Sequence, residues 1–245
     1  MNILTPNSRG PAWLVGAWVG VAIILWTMLK PQVFPTPLEV LATFPTLWAD
    51  GLGAEIVSSF VVNVEALILS ALVGLPLAYL SRVPAVTPVA TFIAKLRFVG
   101  AGVFFLPLLF LFDGHGVKVG LLFLGELFYL VTTMQGVVLN IPQYRFDDAY
   151  TLKMGEWWSV WYVVIRGTVA EAVDALRDNA AIGWSMVMFV EGVVRSEGGV
   201  GVMLLNMQKH ADFSQVYAII IAIILVGITQ DWFIGQVRKV VAPYA

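Results

Sequence analysis

Four polar side chains stand inside long apolar runs. Asn63 and Glu65 fall in the run from about Ile56 to Leu80, Glu126 in the run from about Val117 to Leu139, and Glu191 near the end of the run from about Asn179 to Val194. A carboxylate or amide in hydrocarbon is costly, so such groups turn toward a bundle interior or an aqueous cavity. Two readings stay open for them: the lining of a translocation path, or hydrogen bonds between helices. Groups suited to catalysis are scarce. Cysteine is absent, which removes thiolate metal sites, disulfides and Cys nucleophiles together. The two histidines sit in polar stretches, Asp113-Gly114-His115-Gly116 and Lys209-His210-Ala211-Asp212, and are read as loop residues. Neither has a second His at helical spacing to make a metal pair. No Gly-x-Ser-x-Gly turn is present to present a serine nucleophile. No catalytic, cofactor or metal site is therefore expected in this chain.

The elements that must position these groups are membrane spans. Of the 245 residues, 59% are hydrophobic and 12% charged, and the mean hydropathy is +0.86. Ordinary soluble domains carry about 25% charged residues. The net charge of −2 offers no basic face for nucleic acid. A spanning helix needs about 20 mostly apolar residues, since the hydrocarbon core is about 30 Å thick and a helix rises about 1.5 Å per residue. That ruler marks about six spans: Ala12 to Leu29, Ile56 to Leu80, Leu96 to Phe112, Val117 to Leu139, Asn179 to Val194 and Val216 to Phe233. The first is closed by Lys30-Pro31 and is followed by no small-x-small cleavage site, so it reads as a retained anchor. The fold class expected is an all-α membrane protein, a single transmembrane domain over residues 1–245.

Orientation follows from Lys and Arg near the span ends. With the amino terminus inside, the cytoplasmic set is Arg9, Arg82, Lys95, Arg97, Arg145, Lys153, Arg166, Arg177, Arg238 and Lys239, against Lys30, Lys118, Arg195 and Lys209 outside. Both termini are expected in the cytoplasm. The longest polar segment, about residues 140–178, falls on that side. Asp147, Asp148, Lys153, Glu156 and Arg166 alternate there with Tyr144, Phe146, Tyr150, Trp157, Trp158, Trp161 and Tyr162, a mixture suited to amphipathic helices at an interface. Gly155 is placed to break the first helix and let the chain turn. The tryptophans suit packing against a neighbour or seating in the headgroup layer.

The order of features from Phe34 to Trp232 resembles the permease subunits of binding-protein-dependent ABC importers, of the nitrate, sulfonate and taurine type. Phe34-Pro35-Thr36-Pro37-Leu38-Glu39-Val40-Leu41 is similar to that family's Phe-Pro-Ser/Thr-Pro element with its amphipathic helix. Gly74-Leu75-Pro76-Leu77-Ala78 resembles its Gly-Ile-Pro-Leu-Gly segment, and Leu106-Pro107-Leu108-Leu109 its Leu-Leu-Pro-Leu segment. The family's cytoplasmic signature is Glu-Ala-Ala, three residues, Gly, nine residues, then Ile-x-Leu-Pro. Here Gly155 and Ile165 keep the separation, while Ala149-Tyr150-Thr151 stand at the Glu-Ala-Ala positions and Gly167-Thr168 at the Leu-Pro positions, with Asp148 one residue early in place of the Glu. Ala175-Leu176-Arg177 resembles the family's Gly-Leu-Arg, and Glu191 with Gly198-Gly199-Val200-Gly201 its closing Glu and Gly-Leu-Gly.

The resemblance implies a type I importer permease in a bacterial inner membrane. It implies a homodimer, a cytoplasmic ABC ATPase that supplies ATP and Mg chemistry, and a periplasmic or lipid-anchored substrate-binding protein, with membrane lipid around the spans. It also implies that Asp147, Asp148, Ala149, Tyr150, Thr151, Lys153, Met154 and Gly155 form the coupling helix. In that helix Tyr150 and Met154 would plug the ATPase cleft, Asp148 and Lys153 would pair with its rim, and Gly155 would permit the turn. The substrate would be nitrate-, sulfonate- or taurine-like, or, given the acidic path candidates, neutral or cationic like a pyrimidine vitamin precursor. Two other classes compete: a secondary transporter or channel, which would need broken helices or inverted repeats, and a membrane assembly subunit without transport.

Overall fold

The computed structural model of the chain describes residues 12–28 and 34–242, so Arg9, Leu29, Lys30 and Pro31 of the sequence reading lie outside the described residues. Within them the fold is helical throughout. In order come α1 (Ala12–Met28), α2 (Pro37–Ala42), α3 (Phe44–Ala49), α4 (Leu52–Tyr79), α5 (Thr87–Lys95), α6 (Phe105–Leu111), α7 (Gly114–Leu139), α8 (Tyr144–Thr151), α9 (Glu156–Ser159), α10 (Val169–Val193), α11 (Val200–Lys209) and α12 (Phe213–Val241). Short helical turns link several of them, including a π-helical turn Val160–Ile165 and a 3₁₀ turn Arg166–Thr168 that carry α9 into α10.

Local signals explain the shorter elements. Thr36 caps α2 in a capping box: its hydroxyl accepts from Glu39 N and the Glu39 carboxylate accepts from Thr36 N, with Pro37 at the first helical position. Asp113 caps α7 through Gly116 N, and Asp212 caps α12 through Gln215 N.

Three helices are long and apolar enough to cross a membrane: α4 with its following turn (Leu52–Arg82), α7 and α12. A fourth crossing is available as a broken pair, Thr87–Phe98 with Ala101–Leu111, bent by 98°. The expected span from Leu96 to Phe112 covers only the end of this pair, which begins earlier, at Thr87, and is bent. The break falls at Gly100, whose φ of +78° suits a residue without Cβ, and not at Pro107. The expected span from Asn179 begins instead at Val169, because apolar runs mark only part of a helix and its first turns carry Glu171, Asp174, Arg177 and Asp178. Helix α1, with 17 residues, and α10, with those charges, fall short of the same test, so the expected six spans are not all matched.

Helices α4, α7, α10 and α12 form the centre. α4 and α7 run parallel, since Glu65 meets His115, Ser70 meets Glu126, and Ala78 packs with Leu130 and Met134. α10 returns antiparallel to both and to α12, with Met186 against Gly125, Trp184 bonded to Gln230 and Asp174 paired with Arg238. Small residues let the backbones close up: a Cβ on Gly74 would stand 3.1 Å from Leu130 and 3.2 Å from Leu127, the close approach that drives helix association in membranes. Two ends result. One bears the α8 segment and Arg82, the other the Gly198–Gly201 turn that precedes and opens α11.

Candidate functional site

Helix α8 lies at the first end and is held from behind. Arg82, in the turn after α4, donates to the backbone oxygens of Leu139 and Ile141 (2.8 Å to the latter), satisfying carbonyls that the end of α7 leaves unpaired. The same guanidinium covers the Phe146 ring at 4.4 Å. Behind α8 and the π turn, Val138, Ile141 and Val164 form a small core with Tyr79, Phe146, Val160 and Val163. Ala149 points inward and is buried. Asp147, Asp148, Thr151 and Lys153 are exposed, Met154 is half-buried, and Tyr150 and Leu152 project with 56% and 74% of their surface free. Leu152 was not singled out from the sequence. It lies in α8's C-terminal turn, where apolarity alone gives no direction.

The turn that ends α8 departs from expectation. Met154 N donates to Ala149 O at 3.1 Å and Lys153 N to Tyr150 O at 2.9 Å, the paired bonds of a Schellman ending. The left-handed residue in it is Lys153, with φ of +55°. Gly155, two residues on, has φ of −67° and ψ of 162° and opens α9, and a Cβ there would meet nothing within 4 Å. Gly155 is thus not what breaks the helix. Any demand for a glycine at that position comes from outside this chain.

The polar groups of the spans separate into three places. Asn63, Glu126 and Gly183 meet in the centre: a Cβ on Gly183 would run into both the Glu126 carboxylate and the Asn63 amide. Ser70 donates to Glu126 Oε2 at 3.2 Å, Gln230 donates to Asn63 Oδ1 at 3.2 Å, and Trp184 Nε1 donates to Gln230 Oε1. Glu126 Oε1 and Asn63 Nδ2 have no hydrogen-bond partner among the described residues. Gln230 and Trp184 complete this network, and the sequence reading passed over both. Gln230 and Thr229 also border a cavity of about 480 Å³ between α4 and α12, otherwise lined by apolar side chains such as Phe60, Leu67 and Phe233. Glu126 and Asn63 are not among its lining residues.

Glu65 stands apart, half-exposed on α4, its carboxylate accepting from His115 Nε2 at 2.9 Å in the tautomer that carries the proton there. His115 lies in the first turn of α7 and is not a loop residue, because Asp113 starts the helix ahead of it.

Glu191 is fully buried at the second end, with both carboxylate oxygens bonded: Ser59 donates to one at 2.7 Å and Gly201 N to the other at 2.8 Å. Around it the turn is gripped on all sides. Val200 N donates to Ser59 Oγ at 2.9 Å, Gly199 N donates to Glu55, and the Lys118 ammonium donates to Gly198 O at 2.7 Å. Gly198 and Gly199 have φ of +69° and +109°. This arrangement fastens α11 to α4, α7 and α10, and each Glu191 oxygen takes part in it.

No family model matches the chain. It is similar over nearly its whole length to the taurine transport system permease protein TauC of Escherichia coli (strain K12), 22% identical over 253 aligned positions that take in 98% of this chain and 92% of the relative. The two are homologues. The match bears out the resemblance to importer permeases of the sulfonate and taurine type, and with it the all-α membrane class. Among the described residues, three helices are long and apolar enough to span a membrane, and a bent pair offers a fourth crossing.

Proposed function

We propose that this chain is the transmembrane subunit of an ATP-driven importer for a small solute, coupling the motion of a partner ATPase to alternating access. The end-to-end similarity to a transport-system permease carries the reading. Helix α8 supports it, presenting Tyr150 and Leu152 outward on a short helix braced by Arg82 against the ends of α4 and α7. A helix so mounted moves with the bundle, so a push on it becomes a rigid-body displacement of the spans.

In this reading the partner ATPase holds ATP and Mg, a binding protein delivers solute at the opposite end, and two copies of the chain enclose the path in an inner membrane with their termini in the cytoplasm. Taurine and related sulfonates are the first solutes to try, by the relative's name. Asp148, Tyr150, Leu152, Lys153 and Met154 make the ATPase contact. Co-purification of the tagged chain in mild detergent, followed by reconstitution, tests this. A stoichiometric nucleotide-binding subunit whose solute-stimulated ATPase activity falls on Tyr150→Glu or Lys153→Glu, with the complex's melting temperature unchanged, is the expected result. A chain that always purifies alone, or variants that transport normally, would overturn it.

A further inference from the structure

The stretch between the coupling helix and α10 carries a second surface. From Glu156 to Val193 helical elements follow one another directly, α9, the π turn and the 3₁₀ turn leading to Thr168, whose non-helical φ of −125° marks where α10 starts. Its inner side is closed: Ser159 and Val164 are buried, and Val160 and Val163 pack on Val138 and Ile141 at the end of α7 and on Tyr79 at the end of α4. The stretch therefore lies at the level where two spans stop. Its outer side holds Trp157, Trp158, Trp161 and Tyr162, each with between 45% and 72% of its surface free.

Trp158 and Tyr162 stack at 5.7 Å, and the Arg166 guanidinium lies 5.5 Å from the Tyr162 ring. Arg145 reaches toward neighbouring Gly167. Neither arginine is in an ion pair among the described residues.

We infer that this aromatic stripe, with Arg145 and Arg166, is seated in the headgroup layer of the bilayer and holds anionic phospholipid there, fixing the height of α8 above the membrane. Trp and Tyr favour that layer because a broad apolar ring with a polar edge matches a boundary that is dry on one side and wet on the other. Two unpaired guanidiniums beside them complement phosphate, as juxtamembrane cations do. Water alone would leave four large rings exposed together. An ATPase surface is the competing occupant, and α8 already supplies the projecting residues for that contact. The inference rests on the membrane reading, not on the importer reading.

The chain has no cysteine, so single-cysteine variants can each be spin-labelled uniquely. Labels at Trp157→Cys, Trp161→Cys and the flanking Glu156→Cys are compared with Tyr150→Cys in vesicles of phosphatidylethanolamine and phosphatidylglycerol. The oxygen-to-nickel-chelate accessibility ratio is expected to be several-fold higher at 157 and 161 than at 150, and to stay so when the partner ATPase is added. Brominated lipid should quench wild-type tryptophan emission more than that of a variant with Trp157, Trp158 and Trp161 all changed to Phe, and Arg166→Glu should reduce co-purified phosphatidylglycerol. Labels at 157 and 161 as wet as that at 150, or protected only when the ATPase or a second copy is bound, would overturn the inference.

Discussion

At Lys153 a side chain occupies a backbone position that favours glycine. The left-handed conformation costs an ordinary L-residue roughly 1–2 kcal/mol. Lys153→Gly is expected to raise the chain's stability by about 1 kcal/mol, read as a higher melting temperature in detergent, while lowering coupled ATPase activity. A variant no more stable than the parent would refute the Schellman account. Gly199 is the opposite case. Its φ of +109° and its closeness to the Glu191 carboxylate leave no room for a methyl group. Gly199→Ala should lose roughly 1–3 kcal/mol and expose the segment around α11 to protease, whereas Gly155→Ala, in open space with an extended backbone, should melt with the parent.

Among elements, the join of α8 to the bundle matters most. Arg82 supplies both a cap for α7 and a cation for the Phe146 ring. Arg82→Ala removes a charge-assisted hydrogen bond worth about 1.5–3 kcal/mol and frees the α8 segment before it unfolds the spans. The expected observation is faster tryptic cleavage at Arg145 and Lys153 with little change in the global melting transition. Equal cleavage rates would show that the Val138, Ile141 and Val164 core suffices by itself. Helix α10 teaches a related point. Its first turns are charged because they face α12 through Arg177 with Asp231 and Asp174 with Arg238, at the end of the bundle beyond its apolar middle.

For the whole molecule, the arrangement of helices sorts the charges. Arg82, Arg145, Lys153, Arg166, Arg238 and Lys239 gather at the α8 end, and Lys118, Arg195 and Lys209 at the other, and the expectation that the α8 end is cytoplasmic rests on that bias, with Lys95, Arg97 and Arg177 also in the expected cytoplasmic set. Single cysteines at Lys239 and Lys209 should react with a membrane-impermeant maleimide from opposite faces of oriented vesicles. Labelling from one face would reverse or remove a span. Composition and apolar run length by themselves marked the membrane class, the spans α4, α7 and α12 and the polar segment of residues 140–178, because the length of a span is set by bilayer thickness and needs no partner. Landmark residues in order, from Phe34 to Gly201, carried the resemblance to importer permeases. Only the tertiary structure decided what surrounds the acidic residues. Glu65, Glu126 and Glu191 look alike in sequence, yet one pairs with His115 at a half-open surface, one lies against Gly183 between four helices, and one clamps a glycine turn. Their surroundings come from α4, α7, α10 and α12 together, from residues up to 132 positions apart, and no local pattern records which helix will face which.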